Sequence, residues 1–176
     1  MGGMKSLIAY FSRKGENYVN GGITNLPVGN TEVAADMIRK LTGGDVFRIR
    51  TVEEYPADYN TTTDVAKQEL RENARPKLSG RVDNMSDYSL IFLGYPNWWG
   101  TMPMAVFTFL ENHDFSGKTI IPFCTHEGSG LGRSESDIKK ICPQATVCTG
   151  LSIRGGSVHR AESDISAWLG KSGAVI

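Results

Sequence analysis

The chain has 176 residues, of which 40% are hydrophobic and 22% are charged, a composition typical of one globular domain covering residues 1–176. Its 19 basic and 19 acidic residues give a net charge of zero. This balance argues against a nucleic-acid-binding protein, which usually carries a basic excess. It argues more weakly against an electron carrier that depends on a strongly acidic surface.

The cysteines and the N-terminus bear on the compartment. Cys124, Cys142 and Cys148 are odd in number and lack Cys-x-x-Cys spacing, which predicts reduced thiols instead of a disulfide framework or a zinc site. Residues 1–5 lack the cleavage pattern of a signal peptide, and the apolar run after them is too short to span a membrane. We therefore expect a cytoplasmic protein that does not associate with membranes or nucleic acid.

Apolar runs typical of buried strands alternate along the chain with amphipathic segments typical of helices. The predicted strands are 7–11, 46–50, 90–94, 119–124 and 146–148. The predicted helices are 31–42, 63–73, 103–110, 133–142 and 158–169, and a polar stretch covers 13–28. This alternation predicts an α/β fold, a three-layer doubly wound parallel sheet of five strands with helices on both faces. Pro122 conflicts with a strand interior, so we expect it at a position without a ladder hydrogen bond.

Ligands of open α/β sheets bind at the carboxyl ends of the strands, and unusual segments follow the first, third and fourth predicted strands. The first segment combines Ser12 with Gly29-Asn30-Thr31 at the start of a predicted helix. Free N–H groups, hydroxyls and the positive end of the helix dipole favour an anion there, and Arg13 and Lys14 could add charge. The same residues also fit ordinary helix caps beside a solvated turn.

The second segment, Pro96-Asn97-Trp98-Trp99-Gly100, places two adjacent tryptophans in a loop. Their flat faces suit stacking on a planar ligand, and Gly100 permits backbone conformations that bring a peptide close to a ring. Both tryptophans are equally consistent with covering the hydrophobic core beside the helix that begins at Pro103.

The third segment, Thr125-His126-Glu127-Gly128-Ser129-Gly130, is rich in backbone N–H donors, which suit the polar edge of a heteroaromatic ring. A simple glycine turn is the alternative. His126 and Glu127 are adjacent and lack metal-ligand spacing, and Ser129 lacks the Gly-x-Ser-x-Gly elbow of a serine hydrolase. The sequence therefore points to a binding loop and assigns no catalytic residue.

Taken in order, these segments resemble the flavodoxin-like FMN-binding family, in particular its members with a Trp-Trp loop. The resemblance covers almost the whole chain and includes residues 8–12, 29–31, 55–56, 94–100, 109–110, 116–118 and 122–130. It implies a sheet order of 2-1-3-4-5 and FMN as the cofactor.

The resemblance also implies which residues contact FMN. The first segment would hold the phosphate, the second would flank one side of the isoalloxazine ring, and the third would flank the other side and contact the pyrimidine edge. The implied residues are Ser12, Arg13, Lys14, Asn17, Gly29, Asn30, Thr31, Pro96, Asn97, Trp98, Trp99, Gly100, Thr125, His126, Glu127, Gly128, Ser129 and Gly130.

One segment departs from the family pattern. The phosphate loop of flavodoxins is a compact Ser/Thr-x-Thr-Gly-Asn-Thr, whereas residues 13–28 separate Ser12 from Gly29 here. This insertion, which includes Asn17, either folds over the phosphate and ribityl chain or forms a mobile excursion. The roles implied for Arg13 and Lys14 depend on which alternative holds.

Three functional hypotheses follow from different classes of protein. The first is a redox protein that transfers electrons through bound FMN to a partner protein, in which a Gly100 carbonyl turned toward the ring would tune the flavin. The second is an NAD(P)H-dependent reductase of flavins, quinones or similar small acceptors, favoured by the neutral net charge and by a cationic His126 or Arg154 near the ring. The third is an α/β interaction module without flavin.

Overall fold

A computed structural model of the protein describes residues 5–173, so the ends of the predicted domain, 1–4 and 174–176, lie outside the described residues. The strands are β1 (Ser6–Tyr10), β2 (Gly15–Val19), β3 (Gly22–Leu26), β4 (Asp45–Arg48), β5 (Leu90–Pro96), β6 (Thr119–His126), β7 (Thr146–Val147) and β8 (Leu151–Arg154). The helices are α1 (Asn30–Thr42), α2 (Tyr59–Arg71), α3 (Met104–Glu111), α4 (Ser134–Ile141) and α5 (Glu162–Ser172), with 3-10 turns at Met85–Asp87 and Gly155–Arg160.

The central sheet is parallel, with the order β4-β1-β5-β6 and with both β7 and β8 paired to the outer edge of β6. In terms of the predicted strands this order is 2-1-3-4-5, which confirms the doubly wound fold. The fifth position is divided, because β7 pairs with Thr119 and Ile120 whereas β8 pairs with residues 123–126. Pro122 lies beside the break, where the N–H group that proline lacks is not needed.

The two faces of the sheet pack against different helices, and β1 shows how the sequence specifies this. Leu7 and Ala9 belong to a core cluster that includes α3, whereas Ile8 and Tyr10 belong to a cluster with α1 and α5. Successive side chains of a strand point to opposite faces, so a strand covered on both sides is apolar throughout. Burial on both faces therefore explains the continuous apolar run at residues 7–11.

The largest difference from the predicted elements is an antiparallel hairpin, β2–β3, within the stretch between β1 and α1. Asn20 and Gly21 form its turn with φ of 51° and 87°, the conformation that an Asn-Gly pair favours in two-residue hairpins. Helix α2 also begins earlier than predicted, because the Asp58 carboxylate caps it by accepting from the Thr61 N–H at 2.7 Å. Within residues 5–173, every helix is too short or too polar to cross a bilayer.

Candidate functional site

The loops that follow β1, β5 and β6 meet at the carboxyl edge of the sheet, around a cavity of about 470 Å³ that we call the first cavity. Thr31, Trp98 and Gly128, one from each predicted segment, all line it. The predicted residues that line it are Arg13, Asn17, Asn30, Thr31, Pro96, Asn97, Trp98, Thr125, His126, Glu127, Gly128 and Ser129. The expectation that the three segments meet in one crevice is therefore confirmed.

Direct hydrogen bonds hold the three segments together. The hydroxyls of Thr31 and Thr125 lie 2.8 Å apart in a buried contact that joins the start of α1 to the end of β6. Asn97 joins the other two segments, because its backbone N–H donates to the Thr125 carbonyl at 2.9 Å and its amide donates to the Gly130 carbonyl at 2.8 Å. Gly130 thus supports the cavity through its backbone without lining it.

The start of α1 forms one end of the first cavity. Gly29 is its N-cap, and a Cβ there would overlap the Ser12 hydroxyl, so only glycine fits. Ser12 Oγ in turn accepts from the Glu32 N–H at 3.1 Å. The first N–H groups of a helix have no acceptor within it, and Asn30 and Thr31, which carry them, line the cavity. Ser12 and Gly29 therefore shape a helix end that can receive an anion.

Arg13 and Lys14, the two cations of the first segment, have different surroundings. The Arg13 guanidinium donates to the carbonyls of Glu16, Pro56 and Ala57 at 3.0–3.1 Å and lines the cavity. Lys14 is exposed and does not line the first cavity or the larger cavity that adjoins it. Arg13 therefore joins the base of the hairpin to the loop before α2, and contact of either residue with a phosphate stays a prediction.

Carboxylates from two sides attach the hairpin to the rest of the site. The Glu16 carboxylate accepts from the Tyr59 N–H at 2.7 Å, at the first residue of α2. On the opposite side, the Glu127 carboxylate accepts from the Asn20 N–H at 2.7 Å and from the Gly156 N–H at 3.0 Å. The hairpin therefore extends from α2 to the loop after β8. The insertion therefore forms a hairpin attached to the site on both sides, and its contact with a phosphate or ribityl chain stays a prediction.

The two tryptophans of the second segment have different environments. Trp98 lines the first cavity and packs edge-on against Phe11 and Tyr55, with ring centroids 5.2 Å and 5.1 Å apart. Trp99 is 48% exposed, donates from its indole to the Thr63 carbonyl at 3.0 Å and has the Lys67 ammonium 5.1 Å from its ring. Trp98 is therefore the tryptophan available to a ligand in the first cavity, and Trp99 faces α2.

Gly100 lies in a tight turn that hydrogen bonds close on both sides. Trp99 and Gly100 have φ of 57° and 88°, and the Trp98 N–H donates to the Thr101 carbonyl at 2.8 Å across them. The Gly100 carbonyl accepts from the Arg133 N–H at 2.8 Å, and a Cβ on Gly132 would overlap that carbonyl. The Gly100 carbonyl is therefore held toward Arg133 in this structure, and its turning toward a bound ring stays a prediction.

The third segment contains the His126 imidazole and lies beside the Arg154 guanidinium at the end of β8. Burial lowers the pKa of His126 below its ordinary value, and Arg154 lowers it further against the opposing effect of Glu127. His126 Nδ1 also accepts from the Gly128 N–H at 2.8 Å, which requires an unprotonated nitrogen. Both observations favour Arg154 over His126 as the cation of that hypothesis. Arg154, which donates to the Glu127 carbonyl at 3.2 Å, supplies the positive charge beside this loop.

Sequence reasoning missed three residues that line the first cavity, Tyr18, Tyr59 and Gly155. A Cβ on Gly155 would overlap the Asn30 amide, so this glycine allows close packing beside the start of α1. The Gly155-Gly156 pair after a strand was a usable signal for a close backbone approach. Tyr59 gave no such signal, because its position depends on how α2 packs against the hairpin.

A second cavity, of about 770 Å³, adjoins the first and is lined by the remaining residues of the tryptophan segment, Trp99 and Gly100. The two cavities share Arg13, Asn17, Tyr18, Tyr59, Asn97, Trp98 and Ser129. Within residues 5–173, no group of three or more Cys, His, Asp or Glu side chains could hold a metal ion.

An open parallel sheet whose first cavity combines a helix start, an aromatic loop and a glycine-rich loop at the switch point defines a flavodoxin-like α/β protein. The sequence model of the family described as Flavodoxin matches residues 5–172, and the chain belongs to this family. A search of curated proteins finds no significant match.

Solved structures agree with this assignment. A provisionally assigned flavoprotein from Bacteroides eggerthii DSM 20697 is 30% identical, with 96% of this chain and 98% of that chain covered and a TM-score of 0.78. A second one, from Bacteroides uniformis ATCC 8492, is 27% identical, with 94% and 99% covered and a TM-score of 0.74. A flavoprotein in complex with FMN from Lactobacillus acidophilus NCFM is 19% identical, with 90% and 98% covered and a TM-score of 0.67, which shows a shared fold.

Proposed function

We propose that this protein binds FMN in the first cavity and acts as a redox flavoprotein. The observation that carries the proposal is the convergence of Thr31, Trp98 and Gly128 on one cavity of about 470 Å³, within the size range of small-molecule sites. Family membership and the FMN-bound relative of the same fold support FMN as the cofactor.

The donor set of the cavity fits a flat molecule with a phosphate tail. The N-terminal end of α1, at Asn30 and Thr31, offers backbone N–H groups and a positive dipole end to the phosphate. The Thr31 hydroxyl lies beside it, fixed by Thr125. At the other end, the face of Trp98 suits a planar ring, and the loop at residues 126–129, in which the Gly128 N–H already donates to His126, would lie beside its polar edge.

When bound, the flavin supplies the electron-transfer chemistry, and the residues of this chain bind, orient and tune it. The Arg154 guanidinium next to the third segment stabilises negative charge on a ligand in that region. The neutral His126 adds no charge and holds the Gly128 backbone through its Nδ1 acceptor. The hairpin residues Asn17 and Tyr18 line the cavity and reduce its access to water.

Comparing FMN with riboflavin tests the phosphate end directly. Apoprotein titrated with each compound, followed by the quenching of flavin fluorescence, should bind FMN at least tenfold more tightly, because only FMN carries the phosphate. Thr31→Val should weaken FMN binding about tenfold or more, since a hydrogen bond to a charged group contributes about 1.5–3 kcal/mol.

Thr108→Val is the matched control for this experiment. The Thr108 side chain is also buried, and its hydroxyl bonds within α3 to the Met104 carbonyl, away from the first cavity. It should leave FMN affinity unchanged. Equal affinities for FMN and riboflavin would show that the helix end does not hold a phosphate. Protein that stays colourless after FMN is added would favour the α/β interaction module without flavin.

An NAD(P)H-dependent reductase of a small acceptor is the second candidate, and the second cavity is the observation that favours it. A carrier that meets only protein partners does not need a further cavity of about 770 Å³ joined to the first by shared residues. Mixing the FMN-loaded protein with NADPH without oxygen separates the candidates. Prompt loss of flavin absorbance supports the reductase, whereas no reaction supports the carrier. The three free cysteines support a cytoplasmic location for either.

A further inference from the structure

The turn at residues 98–101 is bonded to the loop that leads from the third segment into α4. The Asn97 amide donates to the Gly130 carbonyl at 2.8 Å, and its side-chain oxygen accepts from the Gly100 N–H at 2.9 Å. The Gly100 carbonyl accepts from the Arg133 N–H at 2.8 Å, directly before α4 begins. The second and third segments, which the proposed function puts on the two sides of the flavin ring, are therefore attached to each other by direct hydrogen bonds.

A buried side-chain pair holds the end of this turn. Thr101 is 1% exposed, and its hydroxyl donates to the Asp137 carboxylate in the first turn of α4. The Thr101 carbonyl accepts from the Trp98 N–H at 2.8 Å, so Thr101 joins this tryptophan to α4. Neither Thr101 nor Asp137 lines the first or the second cavity. The pair therefore acts on a ligand through the position of the turn.

The bond between Thr101 and Asp137 is stronger than a bond between neutral groups. A hydroxyl that donates to a carboxylate forms a charge-assisted bond, and the Asp137 side chain is 14% exposed, so water screens it little. The other side-chain partner of Asp137 is the Arg133 guanidinium, whose Nε is 3.4 Å away and whose side chain is 57% exposed. Loss of the Thr101 hydroxyl would therefore release the turn and leave the carboxylate with its weaker partner.

A ring that lies between Trp98 and the third segment is sensitive to their separation. Dispersion attraction falls steeply with distance, and a gap of about 0.5–1 Å loses roughly a quarter to a half of it. The phosphate end is held by different bonds, because Ser12 Oγ accepts from the Glu32 N–H at 3.1 Å at the start of α1. A shift of the turn should therefore weaken contact with the ring and spare contact with the phosphate.

We propose that Asp137, acting through Thr101, is a positioning residue that sets the separation between Trp98 and the third segment. This rests on the proposed function, since the ring between them is that of the flavin. Asp137 thereby determines how tightly the site binds an isoalloxazine ring, whatever chain that ring carries.

Lumiflavin, riboflavin and FMN share the isoalloxazine ring and differ in the ribityl chain and the phosphate, so their affinities separate the two ends of the site. Thr101→Val keeps the shape of the side chain and removes its hydroxyl. It should weaken binding of all three about fivefold to tenfold, measured by quenching of flavin fluorescence, and leave the ratio of FMN to riboflavin affinity unchanged. Thr31→Val should instead lower that ratio, and Thr101→Ser, which keeps the hydroxyl, should bind all three as the wild type does.

Asp137→Ala should reproduce the effect of Thr101→Val, and Glu135→Ala is its matched control. Glu135 lies in the same turn of α4, and its carboxylate also accepts from another loop, at the Gly150 N–H 2.8 Å away, but it lines neither cavity. Glu135→Ala should leave lumiflavin affinity unchanged. Far-UV circular dichroism checks that each variant folds, and Asp137→Ala carries the test if Thr101→Val does not fold.

Amide hydrogen exchange on the apoprotein tests the same pair without flavin. Thr101→Val should accelerate exchange of the Trp98 and Gly100 N–H groups, whose acceptors lie within residues 97–101, and leave strand β5 unchanged. Unchanged exchange in the turn would overturn the proposal, as would lumiflavin affinity that survives Thr101→Val and Asp137→Ala, or an equal loss in Glu135→Ala. Failure of the wild type to take up any flavin would instead reject the proposed function, and exchange would still decide whether this pair holds the turn.

Discussion

Replacing Glu127 tests directly what attaches the hairpin to the site, because the Glu127 carboxylate accepts hydrogen bonds from two backbone N–H groups in separate segments. Its Oε1 is 2.7 Å from Asn20 N at the hairpin turn, and its Oε2 is 3.0 Å from Gly156 N in the loop after β8. Glu127→Gln keeps one carbonyl oxygen and replaces the other with an amide that cannot accept. The variant therefore retains the better buried bond to Gly156 and loses the bond to Asn20.

The expected magnitude follows from that lost bond. A hydrogen bond to a charged group contributes about 1.5–3 kcal/mol when buried, and the exposed position of Asn20 brings the expected loss to about 1 kcal/mol. Since 1.4 kcal/mol is a factor of ten, hairpin opening should become about fivefold more frequent. Because Asn17 and Tyr18 of the hairpin line the first cavity, FMN should dissociate faster by a similar factor.

Amide hydrogen exchange on wild type and Glu127→Gln measures this opening. Exchange should accelerate in residues 15–26 and stay unchanged in the central strand β5. Glu162→Gln, a carboxylate-to-amide change in the first turn of α5, is the control and should alter neither segment. Unchanged exchange in the hairpin, or equal acceleration in β5, would show that Glu127 does not hold the hairpin against the site.

Three further predictions concern stability. Gly94→Ala should lower the free energy of unfolding by about 1–3 kcal/mol in urea, because its Cβ would overlap the Phe123 ring, whereas Gly80→Ala, with its nearest neighbour at 4.0 Å, should have little effect. Tyr55→Phe should lower the free energy of unfolding by about 1 kcal/mol at pH 7 and by less at pH 5. Burial raises the pKa of Glu69, and the Tyr55 hydroxyl, which donates to the Glu69 carboxylate at 2.7 Å, opposes that rise by stabilising the charged form. An equal loss at both pH values would contradict this reason. Burial lowers the pKa of His113, so this side chain takes up a proton at a higher pH in the unfolded chain than in the folded one. Thermal stability should therefore be constant above about pH 6.5 and decrease below it. His113→Gln should make that decrease less steep.

The sequence by itself determined the parallel α/β sheet and the edge at which the site lies, whereas the strand order was implied by the resemblance to the flavodoxin-like family. Continuous apolar runs such as residues 7–11 fix strands buried on both faces, and the alternation with helices fixes a parallel sheet. Parallel strands align their carboxyl ends on one edge, so the loops carrying Thr31, Trp98 and Gly128 were expected on that edge, where the structure brings them together. These features depend on local patterns and chain connectivity, which a sequence displays directly.

The tertiary structure decided which polar groups at that edge already have hydrogen-bond partners and how their pKa values shift. The Gly100 carbonyl accepts from the Arg133 N–H, and burial and Arg154 lower the pKa of His126, although neither partner is adjacent in sequence. Likewise, the hairpin turn at Asn20 is attached to the site by Glu127, a residue from the other half of the chain. Hydrogen-bond partners and desolvation depend on contacts between distant segments, and those contacts exist only once the chain has folded.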